Sequence, residues 1–284
     1  MFLHPIKWPG NARCAASITF DIDADSLIRD ARREDGELHL QAVSMGQYGP
    51  TVAVPRILET YRRLELTQTF FMPGWVMEKY PATVESILAA GHEIGHHSWR
   101  HEDPMNHSDE VEAELFGRAM DVHKKLTGRH PRGYRAPVYS ITPKMVNRLI
   151  EQDFLYDSSM MADDLPYLVE TSAGSLVEMP PHWGTDDWPP FAHFAEINYL
   201  MPVRGPSAGI APFLEEFEAM YEAGGFWMPV LHPFLTGRLA RWRVMERWLE
   251  EVLERGDVWF APLEAIANHA LENADLIRRV KIDC

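Results

Sequence analysis

The stretch "GHEIGHHSWRHEDP" holds four histidines, His92, His96, His97 and His101, in two pairs that share a spacing of four. Imidazoles so placed can hold a divalent metal ion, but one ion needs only one pair. "HEIGHH" reads as a short strand. A strand turns alternate side chains to opposite faces and rises about 3.3 Å per residue, so His92 and His96 would share a face yet stand roughly 13 Å apart, too far for one ion. His97 and His101 fall where the strand gives way to a loop or helical turn, and there a separation of four sets two rings side by side. His92 and His96 are therefore assigned to packing. So are His130, His182 and His193, although His182 and Trp183 lie near enough to a later "DDW" to touch a ligand.

Two histidines need a third ligand. Two neutral imidazoles and one carboxylate leave an open position for water on zinc or a similar divalent ion (Co, Mn or Ni). "TFDIDAD" offers Asp21 and Asp23, which share one face of a strand while Ile22 faces the core. One acid can bind the ion while the other stays free beside the water, a division of labour that suits hydrolysis. Arg135 ends "RGYR", Asp186 and Asp187 follow "VEMPPHWG", and His232 ends "FWMPVLH". Taken singly, each has a plainer reading. Arginines mostly pair at the surface, "DDWPP" makes a turn, and His232 before Pro233 fits a hydrogen-bonded buried histidine.

The elements that must position these residues alternate. Apolar strands ("CAASITFDID", "TQTFFMP", "SLVEMP", "FWMPVLHP", "VWFAP") take turns with amphipathic helices. Ser108 and Gly128 bound one helix, Thr142 caps another, and Pro81 and Gly91 frame a third. Seven or eight parallel βα units without a linker predict an α/β fold, a distorted (β/α) barrel spanning residues 1–284 as a single catalytic domain. Every candidate above except His92 and His96 then lies at the carboxyl end of a strand, facing one mouth. Two stretches interrupt the pattern. Residues 24–50 show no clear periodic element, and residues 181–206 are rich in Trp, Pro and Asp. Tyr48, between Gly46 and Gly49, is a candidate for a lid that touches substrate.

Composition excludes some partners. Against 27 basic residues stand 42 acidic ones, a net charge of −15, which repels nucleic acid and anionic membranes. No window approaches a membrane span, and "MFLHPIKWPG" lacks the pattern of a signal peptide. The expectation is a cytoplasmic enzyme with a small-molecule substrate. Its two cysteines, Cys14 and Cys284, read as free thiols rather than a disulfide.

"TFDID", "HSWRH", "RAPVY", "DDW" and "VLH", in this order, resemble the five motifs of the polysaccharide deacetylase family, the NodB-homology domain of the family four carbohydrate esterases. The resemblance runs from about residue 13 to residue 262. It implies a distorted barrel of about seven strands, with Asp23, His97 and His101 on the metal, Asp21 as general base and His232 as general acid. Arg135 would orient Asp21, and Asp187 in preference to Asp186 would pair with Arg135. Trp188 would wall the pocket, and a backbone N–H near Tyr139 would help hold the oxyanion. The chain departs from the family pattern in placing Ile22 between the two acids and in lacking the glycine usual after them. Its remaining stretches resemble a cytoplasmic branch that includes a Helicobacter-type peptidoglycan deacetylase, allantoinase-like proteins and cyclic imide hydrolases. That branch implies a homo-oligomer, tetramer or dimer. The activity expected is metal-dependent hydrolysis of a non-peptide C–N amide bond in a small cyclic amide or imide. An N-deacetylase of acetylated amino sugars is the alternative, and an inactive barrel used for binding is a third reading.

Overall fold

A computed structural model describes residues 2–282, so Cys284 lies outside the described residues. Cys14 is a buried free thiol, pushed up to about 12 by burial and then by Asp257, which leaves it unsuited to act as a nucleophile.

Among the described residues twelve short strands follow one another: β1 (Cys14–Ala16), β2 (Thr19–Asp21), β3 (Thr69–Met72), β4 (Glu93–His96), β5 (Gly133–Tyr134), β6 (Tyr156–Asp157), β7 (Tyr167–Thr171), β8 (Gly174–Glu178), β9 (Phe226–Trp227), β10 (Val230–Leu231), β11 (Val258–Phe260) and β12 (Arg279–Lys281). The order β10-β2-β3-β4-β5-β6-β8 is parallel throughout. The chain leaving β8 returns at Asp186, which bridges Val230 in parallel, and the Asp187 N–H donates to the Val230 carbonyl at 3.0 Å. That bridge closes a distorted barrel of seven staves, as the alternation of strands and helices predicts. β7 forms an antiparallel hairpin with β8 and carries β12 on its outer edge. This hairpin was not legible as a separate unit.

The first predicted strand is broken. "CAASITFDID" and "FWMPVLHP" each split in two, so that β1 pairs with β9 and β11 while β2 pairs with β10 and β3. The cause is local. Pro229 has no N–H to give the ladder, and the Ile18 N–H at the break goes to the Gln68 side chain at 2.6 Å. Neighbouring barrel strands pack closely at two glycines. There Gly95 and Gly133 make room for the Phe71 and Tyr156 rings, and a Cβ at Gly133 would sit 1.9 Å from the Tyr156 ring.

The helix signals hold. Gly128 closes the helix Asp109–Thr127 with φ of 76°, and the Thr142 hydroxyl accepts the Met145 N–H at 3.1 Å. Residues 24–50 are not a loop. They form the helices Ser26–Ala31 and Leu40–Tyr48, with a 3-10 turn at Gly36–Leu38. The first of these is too short to show a period and is pinned by tertiary contacts. The wholly buried Asp25 carboxylate accepts from Arg29 at 2.8 Å, Lys79 at 2.5 Å and the Tyr80 hydroxyl at 2.6 Å. No helix among the described residues is long and apolar enough to cross a membrane.

Beneath the site, Asp157 and Glu178 lie side by side, both wholly buried. Glu178 Oε1 accepts the N–H groups of Ser159 and Met160 at 2.9 and 3.0 Å, while both Asp157 oxygens accept from Ser159. Oε2 of Glu178 is buried beside Asp157 with no hydrogen-bond partner, and a proton held between the two carboxyls would satisfy it. Burial first, and Asp157 second, hold the Glu178 carboxyl well above its ordinary range. An acid whose folded pKa is raised binds its proton more tightly in the folded state. Its contribution to stability is full below the unfolded value of about 4.3 and is lost as pH rises through the folded value. Glu178→Gln removes that slope, because the carboxamide donates to Asp157 while its oxygen keeps both N–H groups. Urea unfolding at pH 5 and pH 9 should show the variant gaining on the parent by at least about 1 kcal/mol between the two, since the full slope is about 1.4 kcal/mol per pH unit. Parallel curves would refute the shared proton.

Candidate active site

Strand ends and the loops after them deliver the catalytic candidates to one mouth. β2 ends at Asp21. Ile22 stays extended on Phe71, and Asp23 opens a turn in which its carbonyl receives the N–H and hydroxyl of Ser26. β4 ends at His96, and His97 and His101 leave it with ring centroids 5.2 Å apart. Glu102 holds the turn between them by accepting the Trp99 and Arg100 N–H groups at 3.0 and 2.6 Å. Ala24, Ser98, His101, Val138 and Tyr139 all carry positive φ although none is glycine. Such strain collects where side-chain placement is functional.

Asp23 lies at the centre. Its Oδ1 is 3.4 Å from His97 Nε2, and its Oδ2 is 3.4 Å from His101 Nε2 and 3.5 Å from His232 Nε2. Both Asp23 oxygens and His97 Nε2 are buried with no hydrogen-bond partner. Burial without partners is costly, and a cation would remove that cost. His97 Nδ1 donates to the Arg135 carbonyl at 2.7 Å, which turns the lone pair of Nε2 toward Asp23. Burial opposes positive charge on His97, but Asp21 and Asp23 outweigh it. On Asp23 burial opposes ionisation, and His101, His97 and His232 override it and lower its pKa. Asp23, His97 and His101 thus fit a divalent cation, one carboxylate with two imidazoles in borderline-soft geometry.

Arg135 is wholly buried, and all five of its donors are engaged. Nη1 meets Asp21 Oδ1 at 2.7 Å and Thr19 Oγ1 at 2.9 Å, Nη2 meets Ser158 Oγ and Met228 Sδ, and Nε meets the Ser158 carbonyl. Its Cζ lies 4.2 Å from the centre of the Phe71 ring. Arg135 orients Asp21 as expected, but no donor is left for Asp187 or Asp186. The expected Arg135–Asp187 pair is therefore incorrect. Asp187 instead receives His232 Nδ1 at 2.6 Å on one oxygen, and on the other the His232 N–H at 3.0 Å, the Thr236 N–H at 3.1 Å and the Thr236 hydroxyl. Burial alone would lower the pKa of His232, but Asp187, with Asp23 and Asp186 behind it, pushes it up to about 10. The ring is held as an imidazolium with Nε2–H toward the site.

Asp186 accepts the Trp188 N–H at 2.7 Å on one oxygen and the Tyr139 hydroxyl on the other. Burial, with Asp187 adding to it, raises it to about 6. The Tyr139 N–H is spent within its own turn on the Ala136 carbonyl at 3.0 Å, so it does not serve an oxyanion; the residue reaches the pocket through its side chain. Trp188 walls the pocket as expected, stacked on Phe194 and edge-on to His232. Tyr48 does not line it. Its hydroxyl receives Arg56 at 2.8 Å, and the Arg238 guanidinium covers its ring. Leu27, Trp183, Ile197 and Tyr199 complete the wall of a cavity of about 250 Å³. Leu27, Ile197 and Tyr199 were missed because both irregular stretches look featureless. Trp183 was near "DDW", and its neighbour His182 turns away to accept the Gly184 N–H. His92 and His96 are scaffold, the first accepting the Gln68 N–H and the second the Ser98 N–H.

A parallel barrel with a carboxylate–imidazole cluster, a guanidinium-held acid and a carboxylate-locked imidazole at its mouth forms a hydrolase site with a candidate divalent-cation position. Residues 47–156 match the family model "Polysaccharide deacetylase". A crystal structure from Mycobacterium smegmatis, described as that of a "putative polysaccharide deacetylase", superposes with a TM-score of 0.93 at 34% identity, covering 99% of this chain and 97% of that one. The peptidoglycan deacetylase of Helicobacter pylori is 24% identical over 281 residues, 90% of this chain and 96% of that protein. The structure of Puue allantoinase shares the fold, with a TM-score of 0.81 at 23% identity over 96% of this chain and 94% of that one. The chain belongs to the polysaccharide deacetylase family and is a hydrolase of carbon–nitrogen bonds other than peptide bonds.

Proposed function

We propose that the chain hydrolyses the C–N bond of a small cyclic amide or imide, using a divalent cation, zinc by its donor set, held by Asp23, His97 and His101. The observation that carries this reading is the cavity. It is small, about 250 Å³, and its wall outside the catalytic cluster is almost entirely aromatic and aliphatic. The fold itself does not choose, because the chain shares it both with a protein named peptidoglycan deacetylase and with one named allantoinase.

The bound cation would supply a water of lowered pKa and a polarised carbonyl. The chain's own residues do the rest. Asp21, fixed through one oxygen by Arg135, keeps its second oxygen beside the cluster, 3.9 Å from His97 Nε2, and takes the proton of the attacking water. His232, locked by Asp187, presents Nε2–H and protonates the departing nitrogen. Trp188, Leu27 and Ile197 keep bulk water from the reacting carbonyl.

One observation favours the second reading, N-deacetylation of an acetylated amino sugar. A polar groove bordered by Asp30, Arg33, Asp103, Asn106 and His107 continues from the pocket past His101 and Val138, and could seat a second sugar. An inactive barrel is disfavoured by a complete set of Asp21, Asp23, His97, His101, Arg135 and His232. A panel run with metal-replete enzyme separates the readings: succinimide, hydantoin and allantoin beside acetylated glucosamine monomer and oligomers. Ring opening of at least one cyclic substrate is expected. Acetate release from sugars alone would overturn the first reading, and no turnover of either class would overturn both.

A further inference from the structure

One ionisable group at the pocket has no part in the chemistry described so far. Asp186 lines the cavity, yet it neither belongs to the cation cluster nor touches Arg135. It is rigidly placed, because its backbone makes the bridge to Val230 that closes the barrel. Its side chain stands beside the proton donor. One oxygen each of Asp186 and Asp187 and a ring nitrogen of His232 lie within 4.8 Å of one another. Asp186 and His232 line the same cavity, so Asp186 stands beside the region where the departing nitrogen must sit to receive the His232 proton.

A carboxylate offers about four acceptor directions, and Trp188 N–H and the Tyr139 hydroxyl take two of those on Asp186. Tyr139, having donated its only proton, can now only accept. Beside the leaving group Asp186 thus offers unfilled acceptor positions, next to the His232 Nε2–H that gives the leaving nitrogen its proton. Such a site binds a group that brings its own N–H, and it penalises one that brings a methyl in the same place.

We propose that Asp186, backed by Tyr139, is a specificity-determining residue that accepts the N–H of the scissile amide nitrogen, and so restricts the enzyme to substrates whose reacting nitrogen carries hydrogen. An unsubstituted cyclic imide and a secondary N-acetyl amide both meet this requirement. The inference rests on the hydrolytic reading above and on its assignment of His232 to the leaving nitrogen.

The test uses matched pairs with the metal-replete enzyme: succinimide against N-methylsuccinimide, and N-acetylglucosamine against its N-methyl-N-acetyl counterpart. In whichever pair is turned over, the parent should prefer the N–H member by about 10- to 100-fold in kcat/KM. Asp186→Asn places its own N–H groups in the acceptor corner, and should bring that preference to within about threefold while zinc content stays unchanged. A merely structural role would slow both members equally and leave the ratio intact. Should D186N fail to fold, Asp186→Ala provides the same ratio. Equal turnover of the N–H and N-methyl members by the parent, or an undiminished preference in the folded variant, overturns the proposal. Turnover confined to the sugar pair overturns the cyclic-substrate reading and leaves Asp186 to be judged on that pair. Absence of turnover in both pairs overturns the hydrolytic reading and this inference with it.

Discussion

Asp23→Ala will lose its metal and fall at least about 10³-fold in kcat/KM, the scale on which removal of a major electrostatic stabiliser acts. The expectation follows from how little else could replace this carboxylate. His97 Nε2, His101 Nε2 and His232 Nε2 all stand within 3.5 Å of its oxygens, so it is the single negative group that the three rings share. Asp21 is the nearest other acid, but it lies 3.9 Å from His97 and is tied to Arg135. It cannot turn to the cation without abandoning a wholly buried guanidinium, and a lone buried charge costs several kcal/mol. Asp23→Asn separates charge from shape. It keeps an oxygen for the cation but not the charge, and should hold metal more weakly than the parent and more strongly than the alanine variant. Metal content after gel filtration, measured by mass spectrometry beside turnover, checks the series. Full metal and full turnover in D23A would mean that the cluster is not the reaction centre.

The candidate ligands could be picked out of the sequence because they obey local rules. The period of a strand and the end of "HEIGHH" suffice to separate His97 and His101 from His92 and His96, and β4 does end at His96. The pairing of Arg135 with Asp21 also survived, since both residues stand at the carboxyl ends of barrel strands, β2 and β5, and the guanidinium reaches past β3 and β4 to the acid. What failed was the partner of Asp187. That choice depends on which of five donors reach which acceptors. Arg135 is saturated by Thr19, Asp21, Ser158 and Met228, residues from three separate stretches. Asp187 meets His232 only because the segment after β8 returns to close the barrel on Val230. No local pattern encodes that return. The same holds for Tyr48, whose flanking glycines suggested a moving loop. Gly46 instead packs against the backbone of Ala24, where a Cβ would come within 2.4 Å of the carbonyl oxygen. The small residue serves close packing rather than motion.

Asp187→Asn will lower kcat by about 10²- to 10⁴-fold with little change in KM, the range seen when a carboxylate that fixes a catalytic imidazole is neutralised. Asp187 accepts four hydrogen bonds, from His232 Nδ1, the His232 N–H, the Thr236 N–H and the Thr236 hydroxyl. Asparagine has one oxygen for them. If that oxygen keeps the two N–H groups and the hydroxyl, the amide nitrogen faces His232 Nδ1. The ring must then turn that nitrogen into an acceptor and carry its proton on Nε2 alone, without the carboxylate that most favours the charged form. If the oxygen keeps Nδ1, two buried N–H groups lose their acceptor, at about 1–3 kcal/mol each. Either arrangement removes what holds His232 ready to protonate a leaving nitrogen. KM should move by less than about threefold, because Asp187 lies behind His232 and does not line the cavity. The two roles of the loss are separable. Substrates with better leaving groups need less help from an acid, so the deficit of D187N should shrink as the conjugate acid of the departing nitrogen becomes stronger. A deficit that stays constant across such a series would assign Asp187 to folding of the mouth rather than to the proton carried by His232.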